Sequence, residues 1–210
     1  MLQRPPTSRW RRKSRNANSS DVSAQVIQLK TLQPDVVIFV SYSADTILYF
    51  KTMKNLDYLP PIIIGDDAGF SDPAFIPNVG DLAQGAINRS AFDIGKPGSN
   101  SYIVDQMFKA KYGRDLDDTS ARWLQGFFVL ADAINRAGST APDKIQAALK
   151  ATDLKPDQLI MGYNGVKFDA TGQNILSATY LIQLQGKQYV SVWPADRATA
   201  KLEWPMKGWH

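Results

Sequence analysis

Pro34-Asp-Val-Val-Ile-Phe-Val-Ser-Tyr-Ser-Ala-Asp45 and, further on, Ile62-Ile-Ile-Gly-Asp-Asp67 decide the fold. Each begins with a short continuous apolar run rather than an alternating one. Such a run reads as a strand buried on both faces, the mark of a parallel sheet. Pro34 stops whatever precedes the first run, and Pro60-Pro61 sets off the second. Between them, Asp45 to Leu56 has helical spacing, with Ile47, Leu48, Phe50 and Met53 on the inner side. Strand, helix and strand make one βαβ unit of about 30 residues. In an open parallel sheet, ligands bind in the crevice beyond the carboxyl ends of the strands. Two loops leave such ends here, Ser41–Asp45 and Asp66–Phe70, and neighbouring strands would bring both to one crevice.

Outward from this unit the pattern stays regular. Upstream, Val22, Val26 and Leu29, with Ile27 and Leu32, fit a helix that Ser19 or Ser20 can cap. Downstream, Ser99–Tyr112 is helical and stops at Gly113. A longer helix capped by Thr119 or Ser120 carries Trp123, Leu124, Phe127, Phe128, Ala131 and Ile134 and ends at Gly138. At that spacing Trp123, Phe127 and Phe128 read as core rather than as an aromatic cage. Pro142 opens a third helix with Ile145, Ala148 and Leu149 inward. Gly165–Phe168 is a short strand. Thr179–Leu184 and Tyr189–Trp193 form a hairpin across Gln185-Gly186-Lys187.

The 210 residues are 44% hydrophobic and 21% charged, an ordinary globular composition. The net charge of +4 is misleading. Arg4, Arg9, Arg11, Arg12, Lys13 and Arg15 fall in the first twenty residues with no acid. The remainder holds 18 cations against 20 acids, a net of −2. The basic segment 1–20 reads as a disordered or foreign tail, and nucleic acid is not an expected partner of the body. That tail has no apolar core segment, so it does not read as a secretory signal.

Familiar catalytic chemistry finds no residues to use. There is no cysteine, and the single histidine is His210. An internal Ser–His pair and His/Cys zinc sites are excluded. No phosphate loop or dinucleotide fingerprint occurs, so no cofactor and no metal is expected. The acid pairs Asp66/Asp67 and Asp117/Asp118 are of a kind common in solvated loops. An α/β enzyme acting through Asp66 or Asp67 would need a partner base or cofactor motif that is not found.

The two quoted stretches, followed by Gly80-Asp-Leu-Ala-Gln-Gly-Ala86, Gly138-Ser-Thr-Ala-Pro-Asp143 and Gly165-Val-Lys-Phe-Asp-Ala-Thr-Gly-Gln173, resemble the type I periplasmic solute-binding proteins of ABC importers. The branch is that of the leucine/isoleucine/valine-binding protein, in its C-terminal half only. The resemblance implies an α/β fold: a parallel, doubly wound sheet, incomplete, with a C-terminal antiparallel hairpin. It implies a layout in which 21–90 is part of the C-terminal lobe and 91–165 a helical segment returning to the N-terminal lobe. Residues 166–194 are then the closing strands, and 195–210 a tail.

Function and site follow from the same resemblance. A small solute (an amino acid, an amide or an aromatic acid) would bind between two lobes, and the closed form would dock on a membrane permease. Tyr42 matches the position whose aromatic ring packs on the solute, and Asp67 the acidic position that pairs with an ammonium. Ser41 and Asp66 flank them. The groups that hold the solute's carboxylate would lie in the lobe not covered. The resemblance further implies a periplasmic location, or a cytoplasmic one if the chain is translated as given. It also implies a truncated reading frame whose strand edges and apolar helix faces stay open. A ligand-sensing domain of the same fold, or a fragment without function, are the competing readings.

Overall fold

A computed structural model of the chain describes residues 19–66 and 68–207. Five strands form one mixed sheet in the order β1 (Val36–Phe39), β2 (Ile62–Asp66), β3 (Ile87–Ser90), β6 (Tyr180–Gln185), β7 (Gln188–Trp193). The first three are parallel, with Val36 opposite Ile62 and Ile64 opposite Ile87. The expected hairpin is β6–β7, and it joins the same sheet antiparallel to β3. Outside this sheet, β4 (Asp153–Leu154) and β5 (Val166–Lys167) pair with each other.

The helices follow local signals closely. Helix α1 (Ser23–Leu32) ends before Pro34, and α2 (Ser43–Asn55) links β1 to β2. Short α3 (Ala68–Ser71) and α4 (Phe75–Val79) precede β3. Helices α5 (Asn100–Tyr112), α6 (Asp118–Ala137) and α7 (Pro142–Lys150) form a second body. Gly113 and Gly138 both take left-handed conformations at the ends of α5 and α6, where a side chain would be strained.

Two caps differ from expectation. Helix α6 is capped by Asp117, not by Thr119 or Ser120: its carboxylate accepts from the Ser120 N–H at 2.8 Å and from the Ser120 hydroxyl. Ser120 is therefore the donor that needs satisfying, and an anion also suits the positive helix start. At α1, Asp21 rather than Ser19 or Ser20 accepts from Ser23 N at 2.8 Å.

Phe50 and Met53 of α2, Phe70 of α3, Phe75 of α4 and Val26 of α1 meet Val37, Phe39 and Ile63 in the main core. Phe50, Phe70 and Phe75 pack with ring centroids 5.1–5.9 Å apart. All three are essentially fully buried. This core covers one face of the sheet. The expectation that the first strand is buried on both faces fails: Val36, Ile38 and Val40 are 42%, 48% and 78% exposed. At β1 that face is left largely open, so the alternation comes from the surroundings and not from the sequence of the strand.

The reading of Trp123, Phe127 and Phe128 as core is also overturned. They are 80%, 62% and 39% exposed. Helix α6 buries Ala121, Gln125, Val129 and Ala133 instead, one residue per turn on the opposite side. Its inner contacts are with Leu159, Ile160 and Met161 of the return segment and with α7. Open strand and helix faces of this kind are what the resemblance implied for half of a two-lobed fold.

The segment 195–210, expected to be a tail, is described as far as Lys207 and docks on the sheet. Gln183 donates to the Glu203 carbonyl at 2.6 Å and accepts from Glu203 N at 2.9 Å. Met206 N donates to the Pro61 carbonyl at 2.8 Å, and the Met206 side chain is buried in the main core. Of the basic segment 1–20, residues 1–18 lie outside the described residues, as does His210.

Phe50→Ala is expected to cost about 3–5 kcal/mol, as for other buried aromatics, whereas Trp123→Ala changes stability by no more than about 0.5 kcal/mol. Urea unfolding midpoints of the two variants check the assignment of core and surface. Asp117→Ala should cost about 1 kcal/mol at neutral pH. Burial raises the Asp117 carboxyl pKa, but the Ser120 N–H, Arg114 and the Ser120 hydroxyl outweigh it and hold the group below its ordinary value. A depressed folded pKa stabilises above the unfolded value and is lost as pH falls through the folded one. The difference between wild type and Asp117→Ala therefore shrinks in acid, which unfolding at neutral and acid pH would show.

Candidate functional site

Parallel register places the carboxyl ends of β1, β2 and β3 along one edge of the sheet. Ser41 and Tyr42 leave β1 there, Asp66 ends β2, and Arg89 lies in β3 directly opposite Asp66. The structure thus brings Ser41, Tyr42 and Asp66 to a common edge. Asp67 lies outside the described residues.

The first loop is held from below. The hydroxyls of Ser41 and Thr46 share a hydrogen bond at 2.7 Å, and the Tyr42 carbonyl accepts from Thr46 N at 2.9 Å and Oγ1 at 3.0 Å. Tyr42 is the residue before α2, in extended conformation, and its ring is 69% exposed. Ser43 Oγ donates to Asp72 Oδ2 at 2.5 Å, tying this loop to the segment after β2. The two loops touch at Gly69, where a Cβ would overlap Thr46 Oγ1 and the Ser41 carbonyl oxygen. Only glycine permits that approach. The Tyr189 hydroxyl donates to the Phe70 carbonyl at 2.9 Å, so the hairpin also braces the second loop. Burial raises the Tyr189 pKa far above its ordinary value, which keeps that donor protonated.

Asp66 does not stand alone. Arg89 Nε donates to its Oδ1, with side chains 34% and 42% exposed for Arg89 and Asp66. The three parallel strands contain one base and one acid, and these two are paired across the ladder. Arg89 is absent from the reading of the sequence alone. Its signal was a lone cation inside the apolar segment Ala86-Ile-Asn-Arg-Ser90.

Beyond β3 the chain passes to the helical body, and the passage is tightly bonded. Asp118 is buried and accepts from Ser90 Oγ at 2.7 Å, Ala91 N at 2.9 Å and Arg122 Nε at 2.5 Å. Gly162 N donates to the Ala91 carbonyl at 2.8 Å, and Thr179 Oγ1 to the Ser90 carbonyl at 2.7 Å. Three passages of the chain therefore meet at Ser90–Ala91. The acid pair Asp117/Asp118 serves a helix cap and this junction.

A cleft lined by Lys54, Asp81, Gln84, Gln185, Glu203 and Lys207 lies at the opposite end of the sheet and is separate from the Tyr42 edge. Among the described residues no cluster of His, Cys, Asp or Glu is arranged to hold a metal, and no helix is long and apolar enough to cross a membrane. The edge offers an exposed aromatic ring, a hydroxyl and a paired acid and base. Such groups can bind a small polar solute.

The chain is similar to several known proteins. The Leu/Ile/Val-binding protein homolog 8 of Brucella abortus is 32% identical over 197 residues, covering 89% of this chain and 47% of the relative. Homolog 7 of the same organism is 29% identical, covering 90% and 48%. Among solved structures, a leucine binding protein of Thermotoga maritima superposes with a TM-score of 0.69 at 20% identity, covering 83% of this chain and 48% of that one. A branched-chain amino acid transporter substrate binding protein of Streptococcus pneumoniae, in complex with isoleucine, gives 0.69 at 17% identity, covering 90% and 50%. The chain spans about half the length of the relatives it matches, and its fold is the corresponding part of the type I periplasmic binding protein fold. The model of the family described as periplasmic binding protein matches residues 13–188, and the chain belongs to that family.

Proposed function

We propose that this chain is part of the substrate-binding component of an ABC importer for a branched-chain amino acid or a related small solute, and that it is a binder rather than an enzyme. The observation that carries the reading is the edge where the two loops meet, with Tyr42 exposed and Ser41 and Asp66 beside it. It lies where open α/β sheets bind ligands. The family and the naming of the relatives support it. The solute lies against Tyr42. Asp67 takes its ammonium in a charge-assisted hydrogen bond, and Ser41 and Asp66 complete the wall.

In this reading 21–90 and 166–194 belong to one lobe, and 91–165 reaches into the other. The passages at Ser90–Ala91, Gly162 and Thr179 carry the hinge. A solute that touches both lobes only in the closed form shifts the hinge equilibrium toward closure. The closed form docks on a membrane permease, in the periplasm.

Thermal unfolding of the purified chain with a panel of amino acids, amides and aromatic acids tests the reading. A ligand of the native state raises stability by about 2.7 kcal/mol at a hundredfold excess over Kd. The expected result is a rise with a branched-chain amino acid or a close analogue, weakened about tenfold in affinity by Tyr42→Ala, in line with the loss of a partly exposed aromatic contact. A midpoint indifferent to the whole panel would sink the proposal.

A further inference from the structure

Asn164-Gly165 is the one asparagine–glycine pair in the sequence, and the fold leaves it open to a reaction within the chain. We infer that Asn164 is a self-deamidation site. The Gly165 amide nitrogen closes on the Asn164 side chain, ammonia leaves, and a carboxylate replaces the amide, with Arg197 assisting. This goes beyond the receptor reading above and does not depend on it.

The fold requires the glycine. Gly165 has a φ of 151°, in the positive range that side chains rarely adopt. A Cβ there would stand 2.7 Å from the Leu154 carbonyl oxygen and 2.7 Å from Leu176 Cδ1. No side chain of its own therefore shields the Gly165 nitrogen. The Gly165 carbonyl accepts from Asn174 Nδ2 at 3.1 Å, and Asn164 N donates to the Leu176 carbonyl at 2.9 Å. Among the described residues no hydrogen bond engages the Gly165 N–H or Asn164 Nδ2. The nucleophile and the leaving group are both available.

The third group of the reaction is held in place. Asn164 is exposed, and Arg197 Nη2 donates to its Oδ1 at 2.7 Å. Arg197 Nη1 donates to the Gly162 carbonyl, which fixes the guanidinium against the same segment. A guanidinium only donates, so the Asn164 amide turns its oxygen to Arg197 and its nitrogen away.

Solvent base takes the Gly165 amide proton as the nitrogen attacks Asn164 Cγ. The new N–C bond drives negative charge onto Oδ1. Arg197 already donates there and meets the developing oxyanion without rearranging. The tetrahedral centre then collapses, the Cγ–Nδ2 bond breaks, and the nitrogen takes up a proton and leaves as ammonia. Water opens the five-membered imide at either carbonyl. One opening leaves an aspartate at 164, and the other an isoaspartate whose main chain runs through the former side chain. One water enters and one ammonia leaves, and nothing is oxidised or reduced.

The product suits the position. A carboxylate offers Arg197 a charge-assisted, bidentate pairing that an amide cannot. Gly162, which Arg197 also holds, bonds Ala91 where the sheet meets the helical body. The reaction therefore places a new negative charge beside that crossing.

The test incubates the full chain in mildly alkaline buffer and follows it by peptide mapping with mass spectrometry. Asn164 should convert to acid before any other asparagine, and isoelectric focusing should show one added negative charge. Arg197→Ala should slow the conversion about tenfold, less than the ~10²–10³ of a buried oxyanion donor because this one stands near solvent. Arg197→Lys keeps a charged donor but loses the fork, and should recover part of the rate. If Arg197→Ala no longer melts cooperatively, Arg197→Lys carries the comparison, and its rate must fall below that of the wild type. An Asn164 that does not convert first overturns the proposal. So does a conversion that runs undiminished in the Arg197 variants, since the fold would then add nothing to the bare asparagine–glycine pair.

Discussion

The structure depends above all on one buried carboxylate. Asp118 sits in the first turn of α6 and accepts from Ser90 and Ala91, where β3 leaves the sheet, while Arg122 one turn on neutralises it. Burying an anion is costly unless it is both paired and hydrogen-bonded. Here three donors meet that requirement. The result is a fixed joint between the helical body and the sheet. Without it, α6 would still pack on α7 and on the return segment at Leu159–Met161, and its hydrogen bonds to the end of β3 would be lost.

Around that joint, the passages at Gly162 and Thr179 add a backbone and a side-chain hydrogen bond to the carbonyls of the same two residues. Gly162 has no room for a side chain, because the Tyr180 ring fills the space a Cβ would need. Burial, with help from Asp93 and Asp118, raises the Tyr180 pKa well above its ordinary value, so the ring stays neutral while it packs there. Motion between the two bodies must be absorbed by backbone torsions near this joint rather than by sliding of a broad interface.

Much of this was legible because it is local. Continuous apolar runs marked β1 and β2, Pro34 and Pro60-Pro61 marked their borders, and Gly113 and Gly138 marked helix ends by a conformation that few other residues tolerate. The loops that carry Ser41, Tyr42 and Asp66 were located because loops at strand ends follow from strand order, and the resemblance singled out these residues within them. What stayed hidden depends on distant residues. The pairing of Asp66 with Arg89 needs the register of β2 on β3. The exposure of Val36, Ile38 and Trp123 depends on what covers them, and apolar spacing is the same for a covered face and an open one. Asp117 took the cap from two good candidates because its carboxylate reaches the Ser120 N–H and carries charge as well.

The docking of Met206 has a consequence for how the protein is made. Its amide closes onto Pro61 and its side chain fills a core built otherwise from residues 22 to 86 and Leu184. Synthesis runs from the amino end, so that core has one wall missing until Met206 has been made. The hairpin strand next to β3 also arrives late, since β3 pairs with β6 across some ninety residues. Contacts of such long sequence separation form slowly and leave apolar surface open in the interval. A nascent chain of this sequence is therefore a natural client for chaperones until β6, β7 and Met206 have left the ribosome.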